Sequence, residues 1–165
     1  MWVKKMMYFS YFYSHISYCI AIWGNAAKLH TNRVLVMQKK AIRLMLGLPY
    51  NEHVKPYAVT NCLLMFDDVY KLKLALFAFR YCVLKSNYNL FYISGYVLNN
   101  VINVNTVTRS SVQYNFFLPY VQTSIRKKCV LRQCILAWNS LSNDIKMSTS
   151  VSVFKHKVFC LLNIP

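Results

Sequence analysis

Acidic residues are nearly missing from this chain: Asp and Glu number 4 in 165 residues, as Glu52, Asp67, Asp68 and Asp144. Chemistry built on paired carboxylates, whether acid–base or metal-assisted, has almost nothing to draw on. Glycine is as scarce, with only Gly24, Gly47 and Gly95, so no glycine-rich phosphate loop can be assembled. The cysteines, Cys19, Cys62, Cys82, Cys129, Cys134 and Cys160, form no CxxC pair and no Cys/His cluster, which excludes a zinc knuckle or a dithiol redox pair by spacing. They read as reduced packing residues, since no cleavable signal with a small-residue site is visible. His15, His30, His53 and His156 are dispersed without matching acids, and no serine sits in a nucleophile elbow. No catalytic residue, metal ligand or cofactor is therefore expected, and no internal repeat appears.

What is present is apolar and basic. Hydrophobic residues make up 56% and aromatics 16%, too much for a disordered tail, so much of this surface should be buried. The length suits one modest domain, residues 1–165, and is too short for a polymerase with all its subdomains. Lys and Arg number 20, giving a formal net charge of +16 and a pI near 9.8. Such an imbalance repels itself in a compact state unless a polyanion shares the field, which makes nucleic acid the leading partner and an anionic membrane surface the alternative. The run 6–27 lacks Lys, Arg, Asp and Glu and follows Lys4 and Lys5, as a membrane span would. Ser10, Ser14, His15, Ser17, Gly24 and Asn25 interrupt it, and its tyrosines suit an interior with polar partners. Membrane insertion is thus not the expectation.

The periodicity predicts a mainly α fold, a small helical bundle with an irregular middle segment that has room for a short hairpin. A helix over about 6–23 is apolar nearly all round and ends at the permissive pair Gly24-Asn25. The segment 28–46 has Thr31 or Asn32 as N-cap, giving a helix over about 31–46, with Gly47 as stop and Pro49 beyond. Its predicted buried stripe is Val34, Met37, Ala41, Leu44 and Leu48, opposite a basic face of Arg33, Lys39, Lys40 and Arg43. Residues 51–65 read as a loop with a short helical turn. Over 67–84, opened by Asp67 or Asp68, two apolar stripes run side by side and mark a central core helix. Residues 86–125 are loop-rich and Asn-rich. Arg109 within it and Arg126, Lys127, Lys128 and Arg132 just past it interleave with Tyr114, Phe116, Phe117 and Tyr120, a mixture that grips a single strand by charge and stacking, or else folds its aromatics back onto the core. Helices over 129–141 and 151–162 finish the chain, the last capped by Ser150 or Ser152 with Val151, Phe154, Val158 and Leu161 as its stripe.

One motif invites a catalytic reading. Met65-Phe66-Asp67-Asp68 resembles the aromatic-x-Asp-Asp box with which reverse transcriptases hold two metal ions on a hairpin, with Met65 at the aromatic position and Phe66 at x. A long helical pattern follows it here instead of a second strand, and upstream the chain offers only Glu52 as a further acid. Asp67 and Asp68 are better read as helix-cap and first-turn acids.

Several blocks nonetheless occur in a familiar order. Tyr13-Ser14-His15-Ile16-Ser17-Tyr18-Cys19 with Trp23-Gly24, then Met37-Gln38-Lys39-Lys40-Ala41-Ile42-Arg43, are followed by Leu64-Met65-Phe66-Asp67-Asp68-Val69-Tyr70-Lys71-Leu72. Thr108-Arg109 comes next, then Trp138-Asn139-Ser140-Leu141, Asp144-Ile145-Lys146 and Phe154-Lys155. From about Tyr8 to Leu162 this order resembles the C-terminal region after the polymerase core of non-LTR (LINE, jockey-like) retrotransposon reverse transcriptases. The chain departs from that pattern at Ser142, where the family usually has Pro, and at Asn103 or Asn105, where a His often precedes the Thr-Arg pair. The resemblance implies a thumb-like piece of an RNA-directed DNA polymerase polyprotein, intracellular in the cytoplasm or nucleus, whose catalytic palm and endonuclease lie elsewhere. It also implies RNA or an RNA/DNA duplex as ligand, the polymerase core as partner of the apolar first helix, and basic helix faces along the nucleic acid. Arg33, Lys39, Lys40, Arg43, Arg109, Arg126, Lys127 and Lys128 are the candidate phosphate contacts. Two rivals stand beside this reading: an inactive structural remnant of a truncated element, and a small membrane-anchored basic protein.

Overall fold

The computed structural model describes residues 2–82, 115–118 and 120–163, and these are mainly helical, with no strand among the described residues. The expected hairpin, Arg109, Tyr114 and residues 83–84 of the central helix lie outside the described residues. The chain divides into two compact units, Met1–Lys71 with Cys160–Pro165, and Leu72–Phe159.

The first unit begins with α1 (Trp2–Met7), which runs without a change of hand into a π-helical stretch at Tyr8–Tyr13 and then α2 (Ser14–Ser17). The π turns coincide with the aromatic run, whose rings pair along one side, Tyr8 stacking on Phe12 at 5.7 Å and Phe9 meeting Tyr13 edge-on at 5.3 Å. The single helix expected over 6–23 is not formed. Tyr18 is extended, Cys19 is left-handed with φ of 48°, and α3 (Ile20–Trp23) starts afresh. The left-handed residue costs roughly 1–2 kcal/mol, and tertiary contacts hold it there. Ile20 is buried, Trp23 packs on Phe66 at 5.4 Å, and the Trp23 indole donates to the Tyr18 carbonyl at 2.8 Å. Gly24 ends α3 for a reason other than turn freedom: a Cβ there would run into the Tyr70 ring and the Ile20 carbonyl.

α4 spans Lys28–Leu46, a turn earlier than Thr31 or Asn32 would set it, and the Thr31 hydroxyl instead donates back to the Lys28 carbonyl at 3.3 Å. Its end is as expected. Gly47 takes φ of 70°, and the Gly47 and Leu48 amides both return to the Arg43 carbonyl. The buried stripe, however, is Thr31, Gln38, Ile42 and Met45, while Met37 and Leu44 stand in solvent. This is the expected stripe moved by one residue, about 100° round the helix.

The cause is Gln38, a polar residue with no exposure at all. Its Nε2 donates to the Tyr8 hydroxyl at 3.0 Å and to the Leu64 carbonyl at 2.9 Å, while its Oε1 accepts from the Phe66 amide at 2.7 Å. One side chain thereby ties together the π segment, α4 and the start of α6 (Phe66–Cys82). Around it Tyr8, Ile42, Met45, Val54, Ala58 and Leu63 form the core, with Phe12, Tyr13, Ala41, Leu46 and Met65 packed against them. Residues 51–65 hold more helix than expected, α5 (Val54–Thr60), closed by the Leu63 amide on the Ala58 carbonyl at 2.8 Å across a left-handed Cys62 with φ of 56°. The Lys5 ammonium donates to the Asn61 carbonyl at 3.1 Å, and Asn163 donates to the Val59 carbonyl at 3.3 Å.

α6 is the central helix the sequence pattern predicts, with Phe66, Val69, Leu72, Leu74, Ala75, Leu76, Ala78 and Phe79 all buried; the boundary between the units falls within it, after Lys71. Neither Asp67 nor Asp68 is its cap. The Asp68 and Val69 amides bond to the Met65 carbonyl, and the Phe66 amide is satisfied by Gln38, so both acids lie in the first turn. There they favour the positive end of the helix dipole.

The second unit holds α7 (Ser124–Lys127), α8 (Val130–Asn139), α9 (Asn143–Lys146) and α10 (Val151–Leu162) up to Phe159. The helix expected over 129–141 is thus shorter and flanked by two single turns. α10 has the predicted bounds, and the Ser150 hydroxyl accepts from the Val153 amide at 3.3 Å as its cap. Of its predicted stripe, Phe154 and Val158 are buried and Val151 half-buried, while Leu161 lies past Phe159 and is exposed. The core is an aromatic stack: Phe79 on Phe154 at 4.2 Å, Phe154 on Trp138 at 6.2 Å, and Phe116 edge-on to Trp138 at 6.2 Å. Buried Cys134 lies in α8, and burial pushes its thiol up to about 12, consistent with an inert packing residue.

Candidate nucleic-acid interface

The candidate cations fall into different units and different circumstances. On α4, Arg33 and Lys40 are exposed and Lys39 is half-buried. Arg43 is engaged structurally, because its Nε and Nη2 both donate to the Glu52 carbonyl, at 3.2 and 3.0 Å, and its guanidinium lies over the Tyr50 ring at 5.7 Å. It braces the α4–α5 connection, and the carboxylate of Glu52 in that loop accepts the hydroxyl of Tyr57 in α5.

In the second unit Arg126, Lys127 and Lys128 are consecutive and all exposed. α7 is a single turn opened by extended Thr123, and it ends where the Lys128 amide returns to carbonyls of that turn. The Gln133 side chain fixes it to α8 by donating to the Lys127 carbonyl at 2.8 Å. A shallow groove of about 870 Å³ runs beside it, lined by Thr123, Ile125, Arg126, Lys128, Cys129 and Val130. Of the interleaved aromatics, Phe116 is buried on Trp138, whereas Phe117 and Tyr120 are exposed. Exposed rings a few residues before consecutive cations in the chain are the ingredients of single-strand binding: phosphates meet the charges and bases stack on the rings. Arg132 is half-buried in α8.

The extended piece before this site is clasped by side chains. Asn139 accepts the Phe116 amide at 2.9 Å and donates to the Phe116 carbonyl at 3.0 Å, completing both backbone groups as a neighbouring strand would. The Lys146 ammonium, buried in α9, donates to the Asn115 side-chain carbonyl at 2.6 Å, and its pKa is lowered by that burial. These roles are not legible from composition or spacing. For Gln38 a signal does exist: with Thr31, Ile42 and Met45 it sits at seven-, four- and three-residue spacing, a stripe that only its polarity disguises.

The Asp67–Asp68 pair lies in the first turn of a helix, and among the described residues no three His, Cys, Asp or Glu side chains group as a metal site. Asp68 forms an ion pair with Lys71 at 3.9 Å. Its carboxyl pKa is nonetheless raised, chiefly by burial, with Lys71 and Lys55 opposing and Asp67 reinforcing. Among the described residues no helix is long and apolar enough to cross a membrane. No family model, curated protein or solved structure matches the chain.

Proposed function

We propose that this chain is the C-terminal, thumb-like region of a non-LTR retrotransposon reverse transcriptase and supports template or primer binding without a catalytic site of its own. The observation that carries the binding role is the run Arg126-Lys127-Lys128, exposed on a turn that α8 holds in place, with exposed Phe117 and Tyr120 just before it in the chain. The order of the sequence blocks supports the family assignment. Arg33 and Lys40 are exposed in the first unit and lie outside this run, and the bracing role of Arg43 makes it a weaker contact.

The test is a salt titration of single-stranded RNA binding by the parent chain and by R126E/K127E/K128E. Each lost phosphate contact lowers the slope of log K on log salt by about 0.7, so the variant should lose about 2. An unchanged slope refutes the contact assignment. The remnant reading has one observation in its favour, the exposed Trp2, Val3, Met6 and Met7 of α1; it predicts no RNA binding above that of any comparably basic protein.

A further inference from the structure

The face of α4 turned to solvent has an arrangement that a simply solvated basic helix lacks. Leu29, Val36, Met37 and Leu44 are 64%, 50%, 59% and 78% exposed, with exposed Arg33 and Lys40 among them. The helix repeat places these six residues in two i, i+4 rows, Leu29-Arg33-Met37 and Val36-Lys40-Leu44. Each row reads apolar, basic, apolar. At 100° per residue both cations fall on the midline of the arc these six residues span, with Leu29 and Val36 to one side and Met37 and Leu44 to the other, and exposed His30 and Asn32 lie beyond its two edges.

That placement selects among occupants. On a helix lying in a bilayer surface, cations flank the apolar sector and reach for headgroups; here a membrane would have to take them in at its deepest point. A phosphate backbone would meet two cations and leave four apolar side chains wet. A second copy of this chain across the same face would set Arg33 and Lys40 against their own counterparts, in a protein of formal charge +16. An ion pair ringed by apolar side chains that exclude water is the usual anatomy of a protein–protein hot spot.

We propose that the outward face of α4 docks an acidic amphipathic helix of a partner protein, whose carboxylates meet Arg33 and Lys40 and whose apolar side chains cover Leu29, Val36, Met37 and Leu44. This surface is independent of the RNA-binding run in the second unit.

The probe is a labelled synthetic helical peptide of about five turns, with Leu and Glu in matching apolar–acid–apolar rows. Controls replace its Leu by Ala, or its Glu by Lys. The whole chain should bind the Leu/Glu peptide, and R33E/K40E should weaken binding by roughly thirtyfold or more. That variant should in turn bind the Lys peptide, which shows that it is folded. The charge-neutral variant M37S/L44S should lose peptide binding about tenfold while its affinities for single-stranded RNA and for phosphatidylserine vesicles stay unchanged. Equal binding of the Leu/Glu and Ala/Glu peptides overturns the proposal, as does failure of the charge swap. So does a loss of RNA or vesicle binding in M37S/L44S, which would make this a nucleic-acid or membrane face.

Discussion

Replacing Gln38 by Leu keeps the side chain's approximate volume and removes three buried hydrogen bonds, to the Tyr8 hydroxyl, the Leu64 carbonyl and the Phe66 amide. The hydroxyl can turn to another acceptor, but the carbonyl and the amide are fixed by the backbone. Each buried group left without a partner costs about 1–3 kcal/mol. The added apolar surface of Leu returns about 1–2 kcal/mol, so the net loss should be about 2–4 kcal/mol, a large part of the stability of an ordinary domain. With a urea slope of about 2 kcal/mol/M, the unfolding midpoint should fall by about 1–2 M. The Phe66 amide opens α6, so its hydrogen exchange should accelerate more than that of amides deep in α10. A midpoint within about 0.3 M of the parent, the shift expected from an ordinary surface substitution, would refute Gln38 as the tie between these elements.

Two further outcomes follow from the first unit. Gly24→Ala should destabilise by about 1–3 kcal/mol because its Cβ meets the Tyr70 ring and the Ile20 carbonyl; thermal denaturation showing the stabilisation that Ala ordinarily gives a helix would contradict this close approach. Asp68 binds its proton more tightly in the folded chain, chiefly through burial. Its contribution to stability is therefore fully present below the unfolded carboxyl range and is lost as pH rises through the raised folded pKa. Asp68→Asn should flatten that decline between acid and neutral pH, and urea midpoints with the same pH slope as the parent would sink the assignment.

The parts of the fold that are legible in the sequence are those where local and tertiary demands agree. α10 keeps its predicted bounds because Ser150 caps it and Phe154 and Val158 fall on one stripe. α4 stops at Gly47 because a left-handed residue is needed there. Pattern and structure part where a buried group looks wrong for its place. Gln38 has the chemistry of a surface residue, so hydrophobic spacing alone sets the buried stripe of α4 one residue early. Cys19 and Cys62 take left-handed conformations that pattern alone assigns to glycine, and only the burial of Ile20 and the packing of Trp23 explain the first of these breaks. At the candidate site the cations are legible because charge is visible in sequence. That Arg43 braces a loop, that Phe116 is core, and that Asn139 and Lys146 clasp the segment before the site depend on contacts across 9 to 31 residues.

The nucleic-acid role is tested most directly by titrating the purified chain against labelled single-stranded RNA, a primer–template duplex and anionic vesicles across the same range of salt. RNA or duplex binding that is tighter than vesicle binding, with a steep salt slope that R126E/K127E/K128E flattens, is the predicted result. Equal binding to all three, or a slope the variant leaves unchanged, would show the charge to be generic and contradict the role assigned to this surface.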